Sequence, residues 1–574
     1  MSRTLVRIGS SVLALSSLAA SGYAQVPGTV VGETKISSVF GGFGGVLSPG
    51  DGFGHSVADL GDVDGNGVAD IAVGAWKDDD GGFNRGAVWI LFLDATGFVI
   101  GEQKISASQG GLVGPLSDND DFGSSCEGLG DLDGDGVPDL AVGAPGDDLL
   151  GLGTGAVWIL FLNADGTVKA ETQITDGTGG FTGDLDALDL FGQSLLNAGD
   201  LDGDGVTDLI AGAQFDDDDG INRGAIWICY LNSDGTVKAQ KKISSTEGGF
   251  DGELTPTDSF GASLALLSDL DGDGLNEIAV GASRADRDGG FWIGSVWVLF
   301  LDASEDVVAE VEIGNGLGGL PAILDDQDRF GYGLTSIQDL DGDGLRELLV
   351  GAPKDDAVGT DRGVVYVLFL DPDGTVRDRV LIGPLQGGFS AALDDGDEFG
   401  RSLCAFPDLD GDGFEELLVG MPFEDGGTGS ESDFGALWIL NLEDDCAAAS
   451  ATFRADNAAV NLTGYLAPPP LVGQSWTPSV DNTATGATLA LVVAYASPLD
   501  LFVPGIGSIL VNVADPGGEL TGGTLVGAGT GLVAFALPVP NAPSLCGFSA
   551  ATQGVSFGGG SVLLHNAYDI VIGQ

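Results

Sequence analysis

Histidine, methionine and basic side chains are nearly missing from this chain. Its 574 residues include two histidines, two methionines and 21 lysines plus arginines, against 86 aspartates plus glutamates. The formal charge is −65, and −67 without Arg3 and Arg7. A surface this acidic argues against nucleic acid and anionic membranes as partners unless cations bridge the two. His55 and His565 lie far apart, in no metal-ligand spacing, and no G-x-S-x-G elbow, phosphate loop or Cys/His pairing stands out. His55 reads as a packed strand residue. Cysteine is also scarce: Cys126, Cys229, Cys404, Cys446 and Cys546 make an odd number with no dense disulfide spacing. Cys446 with Cys546 is one staple that a secreted chain would permit; apolar filler is the alternative.

Long apolar runs are missing as well. Arg3, Arg7, the apolar stretch Val12–Ala20 and small residues up to Ala24 read as a secretory signal peptide over residues 1–24. Elsewhere no run reaches about 18 apolar residues, so no membrane-spanning helix is expected. The resulting expectation is a secreted or cell-surface protein.

What the chain has in abundance is glycine, 98 residues, and an acidic loop written six times. The loop is D-x-[DN]-x-[DN]-G-x-x-[DE], starting at Asp62, Asp131, Asp200, Asp269, Asp339 and Asp408, always 69 or 70 residues apart. Three further columns share the period. One is an apolar strand around Ile36, Ile105, Ile174, Ile243, Ile313 and Ile382. Another is D-x-F-G from Asp51, Asp120, Asp189, Asp258, Asp328 and Asp397. The last is a strand whose second residue is aromatic: Trp89, Trp158, Trp227, Trp297, Tyr366 and Trp438.

Each unit therefore holds about four short strands separated by Gly and Asp turns, with Asp165-Gly166, Asp234-Gly235 and Asp373-Gly374 as hairpin turns. The aromatic strand is apolar on both faces, as a strand between stacked blades can be. Such four-stranded repeats predict an all-β fold with a β-propeller over residues 30–445. The first Ile strand lacks a blade and the sixth blade lacks its last strand. Joining them closes a six-bladed ring, and deletion of residues 30–50 is expected to destabilise it strongly. Seven blades are the alternative.

The motifs resemble the FG-GAP repeat family, the propellers of integrin α-chain heads and of many bacterial secreted proteins. Phe122-Gly123 with Gly143-Ala144-Pro145, and Phe330-Gly331 with Gly351-Ala352-Pro353, match both halves of the name. Other blades keep Phe-Gly but end Gly74-Ala75-Trp76, Gly212-Ala213-Gln214, Gly281-Ala282-Ser283 or Gly420-Met421-Pro422. The resemblance covers about residues 34–442. Integrin heads have seven blades, so the count differs, and nothing else here matches an integrin.

Hard oxygens in a tight glycine turn point to calcium, which takes six to eight oxygen ligands. The first loop offers Asp62, Asp64, Asn66 and Asp70 at positions 1, 3, 5 and 9, and the Val68 carbonyl at position 7. The others offer Asp131, Asp133, Asp135, Val137 and Asp139; Asp200, Asp202, Asp204, Val206 and Asp208; Asp269, Asp271, Asp273, Leu275 and Glu277; Asp339, Asp341, Asp343, Leu345 and Glu347; and Asp408, Asp410, Asp412, Phe414 and Glu416. Position 12 is Val73, Val142, Ala211, Val280, Val350 or Val419, so the bidentate glutamate of an EF-hand is lacking. The resemblance supports calcium in a β-hairpin loop instead. Asn66 removes one charge, which makes the first loop the weakest expected. The aspartate of D-x-F-G and pairs such as Asp78-Asp79, Asp147-Asp148, Asp216-Asp217 and Asp355-Asp356 read as turn caps.

Charge density falls after about residue 446, where only Asp456, Asp481, Asp500, Asp515, Glu519 and Asp569 remain beyond residue 450. Short apolar strands with Pro and Gly punctuation predict a small β-sandwich over 451–574. The expected activity is that of a monomeric, calcium-stabilised scaffold binding an extracellular protein or glycan. The alternatives are a carbohydrate-active enzyme using rim carboxylates and a purely structural envelope component. Partner choice is expected to sit in variable loops such as the sixth-blade insertion Gly426–Asp433.

Overall fold

The computed structural model describes residues 27–443 except 150, 219, 288, 357–358, 412 and 426–432, together with the backbone of strands between Ser450 and Val571. The chain divides into two compact units, Pro27–Asp444 and one that contains the strands from Ser450 onward. The signal expectation, the Cys446–Cys546 staple and the insertion at 426–432 fall outside the described residues. Among the described residues no helix is long and apolar enough to cross a membrane.

Pro27–Asp444 is a six-bladed β-propeller. Blade one is Phe53–Gly61, Asp70–Ala75, Ala87–Leu93 and Val99–Ser106, hydrogen-bonded in that order as an antiparallel sheet. Blades two to five repeat the pattern from Ser125, Phe191, Phe260 and Gly333. The sixth has three strands of its own, Ser402–Phe406, Glu416–Met421 and Ala436–Leu442, and takes Val30–Ser37 as its fourth. Lys35 faces Trp438 and Ile36 faces Leu437 in that pairing. The expected ring closure is thus present. It leaves neither a lone N-terminal strand nor an open edge on the last blade. The first strands of successive blades run side by side around the axis.

Among the described residues the buried apolar side chains of the propeller form six clusters. Each hydrophobic cluster of buried residues joins one blade to the next, from blades one and two round to blades six and one. This is why the third strand is apolar on both faces. The Ile column of the fourth strands is fully buried in all six blades, as is the Phe of D-x-F-G. Burial of each such side chain contributes about 1.5–3 kcal/mol.

The two halves of the repeat motif meet across blades. A Cβ on Gly74, Gly143, Gly212, Gly281, Gly351 or Gly420 would lie 1.9–2.2 Å from the carbonyl oxygen of the Phe-Gly glycine in the next blade. Those Phe-Gly glycines are themselves left-handed, with φ between 84° and 90°. Serine hydroxyls of the first strand, Ser56, Ser125, Ser194, Ser263 and Ser402, donate to the same carbonyls at 2.8–3.0 Å. The fifth blade has Gly333 there.

The structure gives a role to a further repeated column: Gly41-Gly42-Phe43, Gly179-Gly180-Phe181, Gly248-Gly249-Phe250 and Gly387-Gly388-Phe389, with Leu112 and Leu320 in place of Phe elsewhere. Its first glycine accepts the N–H of Val99, Val237, Val307 or Val30 at 2.7–2.9 Å, tying the inter-blade connection to an outer strand. Its Phe packs edge-on to the blade's Trp, as in Phe181–Trp227 at 5.1 Å.

In the second unit, Ser450–Arg454, Ser561–Val571, Ser549–Gly558, Leu489–Tyr495 and Glu519–Leu520 pair as one five-stranded sheet. Tyr465–Leu466, Ser479–Asp481 and Leu532–Ala534 form another. These pairings make the unit β; the packing expected of a sandwich rests on side chains outside the described residues.

Candidate metal centres

The acidic loops join first to second strands, so all six lie on one face of the ring. Their backbone is shaped by their own carboxylates. The position-1 aspartate accepts several N–H groups from inside its loop, as Asp131 does from Gly134, Asp135 and Gly136 at 2.8–2.9 Å. Glycines at position 6 are left-handed, φ 88° to 98°, with open space where a side chain would stand. The position-7 residues Val68, Val137, Val206, Leu275 and Leu345 donate their N–H to the position-5 side chain at 2.7–2.9 Å.

Position 9 anchors each loop. It opens the second strand, or in blade four directly precedes it, and is buried in every blade. Asp70, Asp139 and Asp208 each accept the position-2 N–H and the N–H of Leu93, Leu162 or Leu231 on the third strand, at 2.9–3.0 Å. The glutamates Glu277, Glu347 and Glu416 accept the position-2 N–H at 2.6–2.9 Å. Burial pushes these acids up, helped by the position-3 carboxylates: Asp70 and Asp139 to about 6, Glu277 and Glu416 to about 7, Glu347 to about 8.

The fold brings the proposed ligands together. Oxygens of positions 1, 3 and 9 lie within 4.8 Å of one another in blades one, two, three and five, and in blade four Asp273 joins Asp269, Asp271 and Glu277. In blade six Asp408 and Glu416 accept the same loop N–H groups as elsewhere, whereas Asp412 is outside the described residues. An all-oxygen, multiply charged set in a flexible turn fits a hard divalent cation and not a thiolate- or imidazole-seeking one.

Sequence reasoning missed a competing charge. Lys169 pairs with Asp133, at 2.9 Å, and with Asp135; Lys238 pairs with Asp202, at 2.8 Å, and with Asp204; Arg377 pairs with Asp341 and with Asp343, the latter at 2.7 Å. All three follow the Val that opens an outer strand, where blades one and four carry Ile100 and Val308. One cation against four carboxylates leaves these loops with the same net charge as the three carboxylates of blade one. The loop of blade four keeps four carboxylates and no such cation.

The remaining acidic columns are caps and ion pairs. Each D-x-F-G aspartate accepts an N–H from three residues upstream, from Ser48 to Asp51 through Asp394 to Asp397. Asp78 and Asp216 are buried against Lys104 and Lys242 at 2.6 and 2.7 Å, and each lysine lies over the blade's Trp.

The FG-GAP repeat family model matches residues 127–160, 191–229, 260–299, 330–368 and 399–440, which span the second strands and acidic loops of blades two to six. Among curated proteins, integrin alpha-PS5 of Drosophila melanogaster is 36% identical over 170 residues, 29% of this chain and 15% of the integrin. Integrin alpha-5 of Xenopus laevis is 32% identical over 166 residues, 24% and 14% of the two chains. Phosphatidylinositol-glycan-specific phospholipase D of Bos taurus is 25% identical over 379 residues, 63% and 42%. The chain thus spans well under half the length of the integrins it matches. Blade one escapes the family model but shares the strand order, the buried Phe53-Gly54 and the carboxylate cluster of its neighbours. On the matched repeats and the six like blades, this chain is an FG-GAP repeat β-propeller protein.

Proposed function

We propose that this protein is a secreted, calcium-stabilised β-propeller that serves as a binding or adhesion scaffold for an extracellular protein or glycan, with residues 451–574 as an appended module. The convergence of carboxylates in one loop per blade carries the metal part of the reading. Like charges held this close repel unless a cation neutralises them. The similarity of the propeller to integrin alpha chains supports the binding part.

In this reading calcium fastens the first strand of each blade to the second and third. A ligand that binds only the folded chain stabilises by about 2.7 kcal/mol per site at a hundredfold excess over Kd. Excess chelator is therefore expected to lower Tm on the order of 10 °C, with recovery on adding calcium but not magnesium. An unchanged melt in chelator would remove the metal from this account.

The outer-strand cations make a finer test. Lys238→Ala removes the ammonium between Asp202 and Asp204. Calcium titration by calorimetry should show one site binding about tenfold tighter, the effect of a single close charge pair in a partly exposed loop. Ile100→Lys in blade one should weaken one site similarly. If neither variant moves any site, the metal does not share the loop with these side chains.

A further inference from the structure

The face opposite the acidic loops is also rich in carboxylates, such as Asp78-Asp79 and Asp216-Asp217, but basic groups gather toward its centre. It carries the ends of second strands, the starts of first strands and the loops between second and third strands. At its centre His55, Ser124, Gln193, Ala262, Tyr332 and Arg401, in or directly before the first strands, line an axial cavity of about 340 Å³ whose wall also carries Asp59 and Glu127. The His55 Nδ1 lies 3.1 Å from the Ser124 carbonyl and so carries the proton, which leaves Nε2 facing the Arg401 guanidinium at 3.4 Å. Arg401 also donates to the Tyr332 hydroxyl at 2.7 Å and pairs with Glu398. Its side chain is 9% exposed, yet its buried Nε has no hydrogen-bond partner.

Around this mouth stand cations that ion pairs elsewhere in the ring would have absorbed. Lys77, Arg284 and Arg329 form no ion pair among the described residues, in a chain where acids outnumber bases fourfold. They rest on aromatic rings instead. Lys77 lies 4.1 Å from the centre of Trp76, itself stacked on His55 at 4.5 Å. Arg284 lies 4.6 Å from Phe215 and 5.4 Å from Trp292, and Arg329 lies 5.1 Å from the same Trp292. The Arg329 Nε is buried without a hydrogen-bond partner. A guanidinium held on a ring face keeps its N–H edge free, and that edge matches a carboxylate.

An apolar arc on the same loops bears on what brings the carboxylate. Phe83, Leu152, Ile221 and Phe291 occupy one register in four consecutive blades and are 60%, 69%, 68% and 48% exposed. Each carbonyl is fixed by an N–H of the neighbouring loop at 2.8–2.9 Å. The next residue, Asn84, Gly153, Asn222 or Trp292, is left-handed and closes the turn, and Phe291 stacks on Trp292 at 4.3 Å. Exposed apolar side chains in register beside a charged recess, two of them the aliphatic Leu152 and Ile221 that offer a sugar no ring to stack on, suit a protein surface.

We propose that this axial mouth is a carboxylate-binding site in which Arg284, Arg329 and Arg401 capture an acidic side chain of a partner protein, whose flanking apolar residues rest on the arc from Phe83 to Phe291. The proposal rests on the scaffold reading and specifies the class of partner.

The probe is a random-peptide display library selected on the calcium-loaded full chain. Selected peptides should carry Asp or Glu beside apolar residues and should lose at least about tenfold in affinity when the acid is made its amide. Arg284→Gln with Arg329→Gln should lose them to a similar degree, Arg284→Lys with Arg329→Lys should retain part, and Ile221→Ser should weaken them with the melt unchanged. If the glutamine pair fails to fold, the lysine pair and Phe83→Ser carry the test. Selection of neutral or basic peptides, or of none, overturns the proposal, as do acidic peptides indifferent to these variants. Equal competition by polygalacturonate would overturn it in favour of an acidic glycan. Peptides that bind at another face would leave the scaffold reading intact, whereas a chain that selects neither peptides nor glycans would lose both.

Discussion

A chain lacking residues 30–37 is expected to lose its cooperative melt altogether, or to melt tens of degrees below the intact protein. These residues supply the whole fourth strand of blade six. Seven residue pairs join them to Ala436–Leu442. Ile36 is fully buried between blades six and one, and Lys35 reaches Glu424 at 2.5 Å. At about 1 kcal/mol per hydrogen bond and about 2 kcal/mol for Ile36, the loss is on the order of 8 kcal/mol, comparable with the whole stability of an ordinary domain. Because each blade packs only on its two neighbours, opening one junction also exposes the edge of Ala436–Leu442 for aggregation. A synthetic peptide of residues 27–38 added in trans should restore part of the melt. Circular dichroism melts of the deletion with and without peptide decide it: a deletion that unfolds within a few degrees of the intact chain would show that closure is not what holds the ring.

Gly212→Ala should be nearly as damaging, although it adds one methyl group. Its Cβ would lie 2.1 Å from the Gly261 carbonyl of the next blade and 2.3 Å from the Ser194 Oγ. Ser194 can rotate, but the carbonyl belongs to the backbone of a strand start that hydrogen bonds hold on both sides. Overpacking against a yielding side chain costs about 1–3 kcal/mol; against fixed backbone the blades must separate, and more than about 4 kcal/mol is expected. Ser194→Ala in the same chain should not rescue it. Gly205→Ala is the contrast: φ is 89° but nothing stands within 4 Å, so strain of about 1 kcal/mol is the whole effect. Denaturant melts in chelator, which remove calcium from the comparison, should rank Gly212→Ala far below Gly205→Ala. Equal midpoints would mean that the inter-blade contact relaxes.

The same two glycines show how far the sequence could be read. Phe-Gly and Gly-Ala were visible as columns, which was enough to count blades and to resemble a family. That Gly212 and Gly261 touch was not visible, because they are 49 residues apart and belong to different sheets. The Gly-Gly-Phe column repeats in the letters, but its job, bonding a connection to an outer strand, has no local signature. Lys169, Lys238 and Arg377 also looked ordinary: a lone cation on an outer strand gains meaning only when the hairpin returns it to an acidic loop some 34–36 residues earlier.

Period and side-chain type alone determined the blade number, the strand order, the ring closure and the acidic loops with their oxygen donors. They could do so because each is a short-range pattern repeated at fixed spacing, and repetition reinforces the signal. Only the tertiary structure decided which cations enter which loops and what gathers at the axial mouth. His55, Ser124, Gln193, Ala262, Tyr332 and Arg401 hold one register in six blades and share no chemistry. A search for sameness passes over such a column, and closing the ring is what turns six dissimilar residues into the lining of one cavity.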